Sequence, residues 1–192
     1  MYRSRLGKNL GKITLDYVSS INDDVEIAHY DILGSQAHAI MLYENKIITR
    51  NEIKKILKGL ESLKKEKFDK KTNSEDIHEL IESIIIKKIG IDAGGKMHTA
   101  RSRNDQVALD IRMKIRDDIN IICQCLLDMI KSLVQLAKKH QETIVPLYTH
   151  LQQAQVGLFS HYLLAYGDAL FRDLDRLYVT YGRVNENPLG AG

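Results

Sequence analysis

The chain has no tryptophan, only two prolines and only two cysteines. Each shortage excludes something. Proline removes an amide donor and clashes with the preceding helical turn, so its scarcity leaves room for long uninterrupted helices. Cys123 and Cys125 stand two apart in a helical pattern, about 200° from one another around the axis, so they neither pair nor share a metal readily. No run of about 18 apolar residues occurs, and a membrane partner is not expected. The basic start MYRSRLGKNLGK lacks the apolar stretch of a signal peptide, so the expected location is cytoplasmic. Lys and Arg number 28 against 25 Asp and Glu, a formal charge of +3. That excess is too small to argue for nucleic acid, and no aromatic residues interleave with a basic patch. HExxH, CxxC, Walker and nucleotide-fingerprint spacings do not occur, so neither a metal nor a cofactor is expected.

What is present is helical periodicity. Apolar and small residues recur at three and four through Val25, Ala28, Ile32, Ser35, Ala39 and Leu42. Thr49 followed by Glu52 is a capping-box signature, opening a helix through Ile53, Ile56, Leu57 and Leu60. KKEKFDKKT reads as a charged link, and Ile77, Leu80, Ile81, Ile84 and Ile85 form a further stripe ending near Gly90. A much longer stripe then runs from about Asp105 to His140, roughly 54 Å if straight. An ordinary domain does not bury one helix of that length, so it needs long neighbours from this chain or from other subunits. Another long helix is expected from about Gln153 to Arg183, and residues 1–20, without a clean period, read as an extended arm. The fold expected is all-α: a small N-terminal helical domain, residues 1–103, then the first long helices of a bundle, residues 104–192. The ending VNENPLGAG carries loop signals, so the chain reads as cut within a longer one.

Three polar clusters interrupt these helices. VSSIND, Val18 to Asp23, has the composition of a helix cap. GGKMHTARSRNDQ, Gly94 to Gln106, sets two glycines, a histidine, two arginines and an asparagine ahead of the longest stripe. Glycines there permit backbone geometries closed to other residues, and free amides at a helix start attract anions. Arg101 and Arg103 suit carboxylates held bidentately, and Asn104 both donates and accepts. YTHLQQAQ, Tyr148 to Gln155, places His150 between two long helices beside Thr149 and Gln152, and an imidazole there suits general acid–base work. These residues permit proton abstraction beside a carboxylate without singling it out.

The segment GGKMHTARSRNDQVALD resembles the signature of the argininosuccinate lyases, within the fumarase and aspartase superfamily. The likeness extends through AHYDILGSQAHAIML, EDIHELIE, YTHLQQAQ, SHYLLAYGDALFRD and NPLGAG. It implies a homotetramer whose central domains form a fumarase/aspartase-type helical bundle. It also implies reversible cleavage of argininosuccinate into arginine and fumarate by acid–base elimination. Carried onto matching positions, Ser20, Arg101, Ser102, Arg103, Asn104, Thr149 and Gln152 contact substrate, and His150 takes the catalytic histidine position. His78 takes a family position with a supporting role. Departures from the pattern are Leu147, Val156 and the pair Glu186–Asn187. Members of the family are more than twice as long, and the additional length carries the serine generally assigned as base. By itself this chain is therefore expected to be inactive. Alternatives left standing are a non-catalytic helical homologue and another fumarate-releasing lyase, such as adenylosuccinate lyase.

Overall fold

The computed structural model describes residues 12–68 and 74–189. Most of KKEKFDKKT lies within them, but its last four residues do not, and neither do residues 1–11 of the expected arm. Among the described residues the chain is mainly helical: α1 (Lys12–Val18), α2 (Ile21–Asp24), α3 (Ala28–Glu44), α4 (Arg50–Leu63), α5 (Ile77–Ile89), α6 (Ile91–Gly94), α7 (Arg103–Lys139) and α8 (Phe159–Val184). Short 3-10 turns at Val25–Ile27 and Gly95–His98 join α2 to α3 and continue α6. Part of the expected arm is thus helix α1. The mainly helical fold is the one expected, with one further local difference. Strands β1 (Ile144–Thr149) and β2 (Gln152–Leu158) form an antiparallel hairpin where a helix was expected from Gln153, and α8 starts only at Phe159.

Two compact units divide the chain, Met1–Ile111 with Asn187–Gly192, and Arg112–Glu186, so the division falls inside α7. The first owns the core. The stripe on α3 buries Ile32, Ser35, Ala39 and Leu42; α4 contributes Ile56, Leu60 and Leu63; α5 contributes Ile77, Ile81 and Ile85. The Thr49–Glu52 capping box forms, with the Glu52 amide donating to Thr49 Oγ1 and the Thr49 amide to Glu52 Oε2 at 2.7 Å. Asp76 caps α5 by accepting from the Glu79 amide at 2.6 Å.

Gly94 and Gly95 take ordinary right-handed helical dihedrals, φ −64° and −65°, not the unusual geometry expected of them. What Gly94 provides is close approach, since a Cβ there would lie 2.9 Å from the Ile86 Cα. A backbone atom of a packed helix does not retreat cheaply. Gly94→Ala is therefore expected to destabilise the first unit by about 1–3 kcal/mol, read as a lowered Tm in thermal unfolding. An unchanged Tm would mean that α5 and α6 slide apart freely.

The second unit holds little core. Among its described residues the buried apolar side chains are Ile119, Ala137 and Leu163. Ile121, Ile122 and Met129 on α7, and Tyr166, Phe171 and Tyr178 on α8, are exposed. By length and composition alone α7, at 37 residues, is apolar enough to cross a membrane. Counting unbroken apolar runs in the sequence missed this, because scattered polar residues interrupt a stretch whose average remains apolar.

Candidate functional site

The connection from α6 into α7 carries the signature turn. After Met97, buried in the core, Thr99 is extended and Ala100 is left-handed at φ 55°, which reverses the chain ahead of Ser102. Three side chains fasten this reversal. His38 Nε2 on α3 donates to the Thr99 carbonyl at 2.8 Å, and burial lowers the pKa of His38 despite that bond. Lys96 Nζ reaches Glu52 Oε1 at 2.5 Å; that contact first, and the Thr49 bonds second, hold the Glu52 carboxyl at about 2. Arg101 donates from Nη2 to Ser35 Oγ at 3.1 Å. Immediately ahead of α7, Ser102 Oγ accepts from the Asn104 amide at 3.2 Å and its carbonyl from the Gln106 amide at 3.2 Å, a cap for the helix start. Ser102 and Asn104 are left exposed.

The same edge gathers Ser20. Its amide donates to the Glu75 carbonyl at 3.0 Å and its hydroxyl to Asp24 Oδ2 at 2.6 Å, so it stands at the start of α2 without capping it by its side chain. Asp24 Oδ2 also accepts from the Ile77 amide at 3.4 Å. One residue along from Glu75, Asp76 lies 3.5 Å from Arg103 Nε, and Glu82 lies 3.4 Å from Arg103 Nη2. Ser20 and Arg103 are therefore tied to consecutive residues ahead of α5. This brings Ser20 and the 102–104 turn to one border of the first unit.

Arg101 departs from its expected outward role. It points inward, with Nε and Nη1 buried, toward a cluster of which the sequence had singled out His78 alone. Asp31 from α3, His78 from α5 and Asp110 from α7 are all buried, their ligand-type atoms within 4.8 Å of one another. His78 Nδ1 lies 3.1 Å from Asp31 Oδ1 and 3.5 Å from Asp110 Oδ2, and Gln106 Nε2 donates to Asp31 Oδ1. Burial alone would raise the Asp31 carboxyl, but the His78 ring, the Gln106 amide and the Arg101 charge together hold it below its ordinary value. Asp110 goes the other way: burial first, then the neighbouring Asp31 charge, push it up to about 8. By spacing the trio fits a metal ion. The Arg101 guanidinium faces the same two carboxyls, however, and a second cation would meet that fixed positive charge.

In the second unit, Thr149 and Gln152 pair across the hairpin, and His150 and Leu151 form its two-residue turn. Both turn residues are left-handed, φ 50° and 62°, the signs a type I′ turn demands and Asn-Gly normally supplies. A bulge between Leu147 and Tyr148 shifts the register just before it. Thr149, His150, Leu151 and Gln152 are all exposed. Non-glycine residues held in such backbone are a recurrent mark of functional sites.

The family model described as Lyase matches residues 9–192, and the chain belongs to that lyase family. Among named relatives, argininosuccinate lyase of Nitrosopumilus maritimus is 70% identical over all of this chain and 40% of its own length. Argininosuccinate lyase of Methanocaldococcus jannaschii is 46% identical over 99% of the chain and 40% of its own length. A solved EDDS lyase variant with bound fumarate is 30% identical with a TM-score of 0.74, covering 93% of this chain and 35% of that one. The chain thus spans about 40% of the length of the curated relatives it matches.

Sequence reasoning missed Asp31, Gln106 and Asp110. A signal existed, since Asp31 stands at the stripe spacing from Ser35, Ala39 and Leu42, and Asp110 at three from Val107. An ionisable residue on an apolar stripe asks for a buried partner.

Proposed function

We propose that this chain supplies part of the active site of an argininosuccinate lyase, which splits argininosuccinate reversibly into arginine and fumarate in the cytoplasm. The observation that carries this reading is the braced turn at the start of α7. Its sequence resembles the argininosuccinate lyase signature, and it leaves Ser102 and Asn104 exposed at a helix N-terminus, on the border to which Ser20 is also tied. Exposed amides and side-chain donors at such a place suit the carboxylates of a succinyl group.

The elimination needs a base to take the proton from the carbon beside a carboxylate. Donors must hold the resulting aci-carboxylate, and an acid must protonate the departing guanidinium nitrogen. Ser20, Ser102, Asn104, Thr149 and Gln152 hold substrate in this reading, and His150 serves as acid–base or proton relay. Arg103 contributes charge from its ion pairs, and Arg101 acts through the turn it braces. The abstracting base is assigned to the additional length that the relatives have. The exposed apolar residues of α7 and α8 are covered by further copies of the chain in a homotetramer, not by lipid or nucleic acid. No cofactor takes part.

The test is fumarate absorbance after adding argininosuccinate, with adenylosuccinate as control, to the chain alone and to the chain fused to the remaining length of its Nitrosopumilus maritimus relative. Turnover of argininosuccinate by the fused protein alone supports the reading. Turnover by the unfused chain overturns the assignment of the base, and preference for adenylosuccinate overturns the substrate.

A further inference from the structure

Asp110 is fully buried, yet the lyase chemistry gives it no task. It lies on the first turns of α7, seven residues past the start of the helix and directly behind the signature turn. Gly34 on α3 makes room for it: a Cβ there would lie 3.4 Å from Asp110 Oδ1 and 3.1 Å from Leu109 Cδ2. From Asp110 the contacts lead outward. Its carboxyl lies against that of Asp31, an oxygen of each within 4.8 Å of the other and no described donor reaching either Asp110 oxygen; Asp31 Oδ1 accepts from Gln106 Nε2, and Gln106 Oε1 accepts from Arg103 Nη1 at 2.8 Å. Arg103 in turn meets Asp76 and Glu82. The buried carboxyls are thus joined to the edge that holds Ser20, Ser102 and Asn104.

Charge decides how the chain of contacts works. Facing Asp110 are Asp31 from α3, His78 from α5, Arg101 from the turn and Arg103 from α7, with Glu82 behind the two arginines. A carboxylate at Asp110 would set a second buried anion against Asp31, and two carboxyls sharing such a site ionise one after the other. A neutral Asp110 instead donates its proton to Asp31 and leaves Asp31 to balance Arg101. We propose that Asp110, as a neutral carboxylic acid, is a positioning residue: it closes the Asp31–Gln106–Arg103 chain that fixes the turn bearing Ser102 and Asn104, and its ionisation loosens that turn. This rests on the lyase reading for its catalytic meaning, though not for its geometry.

The sign of the linkage follows. A folded carboxyl raised to about 8 keeps its proton when the unfolded one has lost it, so its contribution to stability is full below about pH 4 and lost as pH climbs to about 8. Asp110→Asn copies the neutral acid and removes the titration. Two measurements on the chain test the brace: the 13C carboxyl shift of Asp110 against pH, and hydrogen exchange at the amides of residues 99–104. The carboxyl is expected to titrate near pH 8. Exchange at the turn should accelerate with the same midpoint, beyond the intrinsic rise, in wild type and not in Asp110→Asn. A titration near 3.8, or exchange that ignores the titration, overturns the proposal, and the wild-type measurement decides even where the variant does not fold. In the fused protein, turnover should fall above pH 8 in wild type and persist in Asp110→Asn. Coupled titration and exchange without fumarate release would sink the lyase reading alone. Fumarate release with an unmoved turn would sink the brace alone.

Discussion

Asp31→Asn should lower the unfolding free energy of the chain by about 3–5 kcal/mol at pH 7, the range for removing one partner of a buried ionic cluster. Asp31 is the only described group to which His78, Gln106, Arg101 and Asp110 are all directed. An asparagine there accepts fewer bonds and carries no charge, so the buried Arg101 guanidinium loses the foremost of the carboxylates that offset it. The effect has a pH signature. Because the folded Asp31 carboxyl is held below its ordinary 3.8, its contribution is present above that value and lost as pH falls through the lower folded one. Urea unfolding of wild type and Asp31→Asn should therefore show a wide gap at pH 7 that narrows below about pH 4. A gap under about 1 kcal/mol at pH 7 would mean that the cluster is a passive inclusion in the core.

The second large effect is on rate. In the fused protein, His150→Gln should lower kcat by about 10²–10⁴, the usual worth of a positioned acid or base. The fall should appear in kcat more than in KM, because Thr149 and Gln152 keep their hairpin pairing. Stability should move by less than about 0.5 kcal/mol, since His150 is exposed and buries nothing. Steady-state kinetics beside a thermal melt separates the two readouts. An unchanged kcat would remove His150 from the chemistry.

Helical elements of the first unit were readable because each stripe repeats within a few residues. Ile32, Ser35, Ala39 and Leu42 lie on one face by arithmetic, and Thr49 and Glu52 cap by local chemistry. The hairpin was not readable, for a physical reason. Strand pairing is non-local, and the alternation that normally betrays a strand requires one buried face, whereas β2 is exposed along nearly all its length. LQQAQ also favours helix by propensity, and His-Leu at the turn gives no Asn-Gly cue. Of the candidate site, the sequence marked Ser102 and Asn104, which stand exposed at the helix start; it did not show that Arg101 turns inward, because Asp31 and Asp110 meet it from other helices and no local pattern joins them.

The turn at His150 and Leu151 bears on how this protein would answer selection. Each non-glycine residue in left-handed backbone costs roughly 1–2 kcal/mol, so the two positions hold a reserve of stability that one codon change each would release. Variants screened only for survival after heating should acquire glycine at 151 and asparagine at 150 early. The first change spares the imidazole, and the second discards it. A screen for heat alone and a screen for turnover should therefore agree at position 151 and part company one residue earlier.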